Sequence, residues 1–128
     1  MKSPLLHGFA SGIFAGICCF VYAQVYKFAL GADFSNVVPI GVTFSACIAA
    51  GLLAGAIYGL FIKWFSQKAD VIFHLLFTTI TLLTLVAPFA FQLPLDVEMP
   101  ELFPGYAVPF HFFPALAWFT LKPMFVRK

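Results

Sequence analysis

A chain of 128 residues, 62% hydrophobic and 9% charged, holds about one domain. A soluble domain is usually about 45–50% apolar and about 25% charged. A mean hydropathy of +1.01 therefore excludes an ordinary water-soluble fold and points to lipid as the solvent. The net charge of +2 comes with no basic cluster, so nothing suggests a nucleic-acid partner.

The first apolar stretch predicts a helix over residues 5–26, long enough to cross a bilayer core, which needs about 20 residues. Ser3-Pro4 suits its start, because proline is tolerated in a first turn. Tyr22, Tyr26 and Lys27 suit an interfacial anchor at its far end. Val21-Tyr22-Ala23 resembles a signal-peptide cleavage site. The apolar run continues past it to Leu30, which reads as a span. Gln24 can hydrogen-bond across helices. Gly8, Gly12 and Gly16 recur every four residues and so share one helix face.

The polar stretch from Gly31 to Asn36 reads as a short loop. A second helix is expected over residues 38–62, with Pro39 in its first turn and Lys63, Trp64 and Lys68 at its exit. It repeats the glycine device at Gly51, Gly55 and Gly59. In water each such glycine would weaken a helix by ~1 kcal/mol. In lipid a small-residue groove of this glycine-zipper kind lets a second helix approach closely.

A third helix is expected over residues 71–91, with Asp70 as N-cap. His74, Thr78, Thr81 and Pro88 fall within roughly 80° of one another at ~100° per residue, which makes a polar stripe and a candidate solute or proton path. The competing reading has each threonine bonding back to its own helix carbonyls. Residues 92–105 form the longest loop, carrying Asp96, Glu98 and Glu101 among three prolines. A fourth helix is expected over residues 106–126. Pro109 falls in its first turn and Pro114 inside it, which predicts a kink near residues 110–114. His111 shares a face with Ala107 and Ala115, and Lys122 can snorkel to the surface.

These elements predict an all-α fold: a transmembrane four-helix up-down-up-down bundle. Lys2, Lys63, Lys68, Lys122, Arg127 and Lys128 fall on one side, and Asp33, Asp96, Glu98 and Glu101 on the other. Cationic loops mark the cytoplasm, so both termini are expected there. The two glycine grooves then lie at the same depth and are expected to face each other, with pairing in a homodimer as the competing reading.

Chemistry is sparse. No span holds Asp or Glu, which argues against ion-coupled transport, and no catalytic motif or metal-ligand spacing occurs. His74 and His111 differ in depth by very roughly 15 Å, too far to share a haem iron. His7 and His74 match better in depth, near the cytoplasmic edge, where a shared haem or metal competes with the plainer reading of two hydrated interfacial histidines. Cys18, Cys19 and Cys47 read as buried thiols, with a Cys19–Cys47 bridge left open. No cofactor is expected. The pattern resembles small, uncharacterised four-span bacterial inner-membrane proteins. The resemblance rests on the glycine-rich first span, Val38-Pro39-Ile40, Leu93-Pro94-Leu95-Asp96, and Pro109-Phe110-His111-Phe112-Phe113-Pro114. It implies an inner-membrane location and no particular activity. The function expected first is a non-catalytic accessory or assembly subunit, with lipid and other membrane subunits or further copies of itself as partners. The second expectation is an oligomeric transporter or channel, and the third a redox protein using His7 and His74.

Overall fold

The structure, a computed structural model, describes residues 3–31, 34, 38–90 and 100–125. The described chain is helical and contains no strand. Its α-helices are α1 (Pro4–Leu30), α2 (Ile40–Phe65), α3 (Ala69–Thr84), the short α4 (Val86–Ala90) and α5 (Phe103–Phe125). The stretches Pro4–Leu30 and Ile40–Ala90 are long and apolar enough to cross a membrane. The expected acidic loop lies mostly outside the described residues, as do Lys2, Asp33, Arg127 and Lys128.

Local chemistry sets the helix ends. Pro4 opens α1, and Gly31 closes it at φ 70°, where its N–H reaches the Lys27 carbonyl at 2.8 Å. A left-handed residue at this position is cheap only for glycine. α1 therefore runs about a turn beyond the expected end at Tyr26. α2 ends at Ser66, a non-glycine residue at φ 51°, and a 3₁₀ turn, Ser66–Lys68, leads into α3. The long helical stretch thus folds back on itself, because Tyr58 and Phe61 of α2 both pack on Phe73 of α3.

Three sequence expectations are corrected here. Asp70 is not an N-cap: α3 begins at Ala69, and Asp70 sits inside its first turn. The third helix does not run unbroken to residue 91, because it is interrupted at Leu85. Pro88 explains the break, since it has no N–H for the Thr84 carbonyl and its ring crowds that oxygen. Phe34, in the stretch read as a polar loop, is fully buried against Phe103 and Tyr106, at ring separations of 5.3 and 5.2 Å.

α5 passes through Pro109, Pro114 and Pro123 as one continuous helix. Pro109 cannot donate to the Gly105 carbonyl one turn earlier. Tyr22 of α1 supplies the missing donor, its hydroxyl reaching that oxygen at 2.8 Å. Tyr26 donates to the Leu102 carbonyl, just ahead of α5, at 2.6 Å. Freed backbone groups in apolar surroundings are re-satisfied by neighbouring side chains in this way.

α1 and α2 pack antiparallel, backbone against backbone. The buried face of α1 is His7, Gly8, Ser11, Gly12, Ala15, Gly16 and Cys19, with nothing larger than a cysteine after His7. A methyl group on Gly8 would overlap the Gly51 carbonyl, and one on Gly51 would overlap the Gly8 carbonyl. A methyl on Gly12 would lie 2.7 Å from the Ile48 Cα and 2.8 Å from the Cys47 carbonyl oxygen. Gly55 meets the Pro4 backbone, and Gly16 abuts the Phe44 ring. Gly59 differs, because its methyl would only touch Pro4 Cγ at 3.9 Å.

Gly8→Ala and Gly51→Ala should each destabilise the fold by about 1–3 kcal/mol or more, the cost of overpacking against unyielding backbone. Gly59→Ala should be neutral or stabilising, because it gains helix propensity in open space. Thermal unfolding in detergent gives the order, and equal losses at Gly8 and Gly59 would contradict this packing. Tyr22→Phe should cost about 0.5–1.5 kcal/mol, a typical net hydrogen bond. The cost should shrink in a Pro109→Ala background, where the residue-109 N–H can reach the Gly105 carbonyl. A Tyr22 effect unchanged by Pro109→Ala would refute the compensation.

Candidate functional site

α5 is the central helix of the described chain. Its exposed large hydrophobic residues are Leu116 and Met124 alone, whereas α1, α2 and α3 each expose many. Several polar residues of the helices, Tyr58, Asp70, His74 and His7 among them, gather where α5 meets its neighbours.

The densest cluster lies at the C-terminal end of α5. Lys122 Nζ pairs with Asp70 Oδ1 of α3 at 2.8 Å. The Tyr58 hydroxyl of α2 donates to the same carboxylate oxygen. Lys122 also donates to His74 Nε2 of α3 at 3.2 Å and lies 5.5 Å from the centre of the Tyr58 ring. One ammonium therefore joins α2, α3 and α5. A His74 ring that accepts at Nε2 is the tautomer carrying its proton on Nδ1. Lys122 is 16% exposed and Asp70 50% exposed, so water screens the carboxylate side of the pair.

Beside this cluster, His7 of α1 is fully buried. Its Nε2–H donates to the Trp118 carbonyl at 3.0 Å. Its ring stacks on Trp118 at 3.9 Å and faces Phe125 at 5.0 Å. Trp118 in turn meets Tyr58 and Phe73, so all four long helices converge on it. His7 Nδ1, Ser11 Oγ and Trp118 Nε1 are buried without a hydrogen-bond partner among the described residues.

The structure places His7 beside Trp118 and His74 beside Lys122, four residues apart on α5. The chemistry there suits hydrogen bonding better than metal ligation. His7 Nε2 is held by a carbonyl, and His74 Nε2 faces an ammonium that repels a cation. No group of three or more His, Cys, Asp or Glu side chains among the described residues could hold a metal.

The polar stripe on α3 does not form one interior line. Thr81 is buried and His74 half-buried, but Thr78 between them is exposed. Thr79 and Thr84 bond back to the Leu75 and Thr81 carbonyls at 2.8 and 2.6 Å. Gln24 lies on the exposed face of α1. His111 is half-buried between the buried residues Ala107 and Ala115. It lies eleven residues before Lys122 on α5, about 16 Å along the axis at 1.5 Å per residue. His111 is thus apart from the polar cluster.

Tyr58, Asp70 and Lys122 were not singled out as a group from the sequence. Their shared depth was the available signal, since a charge-based topology places Asp70 and Lys122 at the same membrane edge. No family model, no curated protein and no solved structure matches the chain.

Lys122→Met and Asp70→Asn should each lower the thermal midpoint, and a double-mutant cycle should give a coupling of about 0.2–1 kcal/mol, as for partly exposed pairs. Purely additive effects would mean that the pair contributes nothing measurable. Lys122→Met should exceed Asp70→Asn, because only Lys122 holds His74 as well.

Proposed function

We propose that this chain is an integral membrane protein of four spans, formed by α1, α2, α3 with α4, and α5. In this reading both termini are cytoplasmic, and the spans form an up-down-up-down bundle joined by a glycine zipper. Its function is that of a non-catalytic accessory or assembly subunit of a membrane complex. The resemblance to small four-span bacterial proteins makes the bacterial inner membrane the proposed location.

One observation carries the reading: large apolar side chains face outward along α1, α2 and α3. Phe9, Phe20, Leu53, Leu75, Leu83 and Phe89 are all exposed, far more apolar surface than a water-soluble monomer presents. The cationic, carboxylate, phenol and imidazole groups at the end of α5 bond to one another. Groups bonded in this way hold helices together and leave little to act on a substrate. The exposed position of Thr78 weighs against a transport path within one chain. The surface that remains for function is the outward face, where lipid and protein partners compete.

In a cysteine-free variant, single cysteines at residues 98 and 66 test the topology with a membrane-impermeant thiol reagent. Position 98 should label from outside intact cells, and position 66 only after lysis. The opposite pattern would overturn the orientation. The accessory role predicts that the tagged chain leaves the membrane in mild detergent with one other membrane chain at fixed stoichiometry, and that the chain alone in liposomes carries no proton or solute flux. A symmetric homo-oligomer that conducts would replace this reading with the transporter.

A further inference from the structure

Cys19 of α1 and Cys47 of α2 face each other across the glycine-lined seam. Their sulfurs are 3.7 Å apart and both are reduced. Cys19 is 0% exposed and Cys47 4% exposed. Their neighbours are small, with Ala15 and Ala117 completing the cluster and Phe110 and Phe113 packed around it. Cys18, the adjacent residue, is only half-buried.

We propose that Cys19 and Cys47 form a redox-active dithiol inside the apolar layer, oxidised to an intramolecular disulfide by a lipid-soluble acceptor of the quinone class. A disulfide holds its sulfurs about 2.05 Å apart. The two sulfurs already touch and must close by about 1.7 Å to bond. Glycine contacts already hold the two backbones together at Gly12 and Cys47, so the helices need not move far. The reaction balances with the acceptor alone. Two S–H bonds break and one S–S bond forms, and the quinone takes both electrons and both protons to become a quinol. Every species is neutral, which matters where an isolated charge is expensive. A water-soluble disulfide is a poor oxidant here, because exchange requires a thiolate, which an apolar layer disfavours. The lipid-phase acceptor rests on the membrane reading above, whereas the sulfur pairing does not.

The test uses the full chain, reduced and reconstituted in lipid nanodiscs, with decylubiquinone as oxidant and oxidised glutathione as the aqueous control. With quinone the intact mass should fall by about 2 Da, as expected for loss of two hydrogens. Alkylation should then reach Cys18 only, and peptide mapping should join the segments around Cys19 and Cys47. Cys18→Ser should keep the mass loss and Cys47→Ala should abolish it. Mapping of the native chain decides the matter even if a variant fails to fold. An unchanged mass, a quinone adduct, a Cys18–Cys19 pair or a disulfide-linked dimer would overturn the dithiol. Equal oxidation by glutathione would leave the pairing but overturn the lipid-phase acceptor, while the topology labelling above tests the membrane reading separately.

Discussion

The contact between the backbones of α1 and α2 at Gly8 and Gly51 is the constraint on which the other packing depends. Side chains normally set the distance between helices at about 8–10 Å. Here carbonyl oxygens occupy the space where Cβ atoms would stand. Such closeness fixes the rotation of both helices about their axes, since turning either one would drive a larger residue into the seam. The orientation of α1 then follows, and with it the places of His7, Cys19, Tyr22 and Tyr26. Each of these residues meets either α5 or Cys47.

α5 is shaped by the surroundings that this pair provides. Alone it is a poor helix, because Pro109, Pro114 and Pro123 each remove a backbone donor. It persists where neighbours replace what is lost, as at the Gly105 carbonyl with Tyr22. Its two ends are held by different chemistry. Tyrosine hydroxyls on backbone carbonyls hold the first turn, and an ammonium shared by Asp70 and His74 holds the last. Trp118 lies between α1, α2 and α3 and is fully buried. Its size offsets the small residues on α1, so that a thin seam on one side of the core faces a thick aromatic layer on the other.

The all-helical fold was legible from the long apolar runs and the prolines and polar residues between them. Gly8, Gly12, Gly51 and Gly55 stand where α1 and α2 touch, whereas Gly59, part of the same repeat, does not. Helix rotation elsewhere was not legible. In water an amphipathic pattern marks the inward face, but the polar residues of α3 do not all fall on its packed side, and Leu75 and Phe73 look alike in sequence while one is exposed and the other buried. Thr78 was misjudged for this reason, since its angular position matched His74 and Thr81 but the packing side of α3 is set by Phe73 and Phe77. Asp70 was misread as a cap because its position beside an apolar run fits that role locally. Its partner lies fifty-two residues away, a distance that local pattern does not reach. Phe34 was overlooked because its neighbours are polar.

The low apolarity of α5 has a consequence for biosynthesis. Among the described residues, only Pro4–Leu30 and Ile40–Ala90 are long and apolar enough to cross a membrane. α5 follows them in the chain and carries three internal prolines, His111 and Lys122. On the membrane reading, its insertion is thermodynamically coupled to docking, because α1 offers tyrosine donors and α3 a carboxylate that lipid lacks. The earlier helices then serve as an intramolecular chaperone for the last. A defect in the α1–α2 seam would surface first as α5 left at the aqueous interface, where quality-control proteases can reach it.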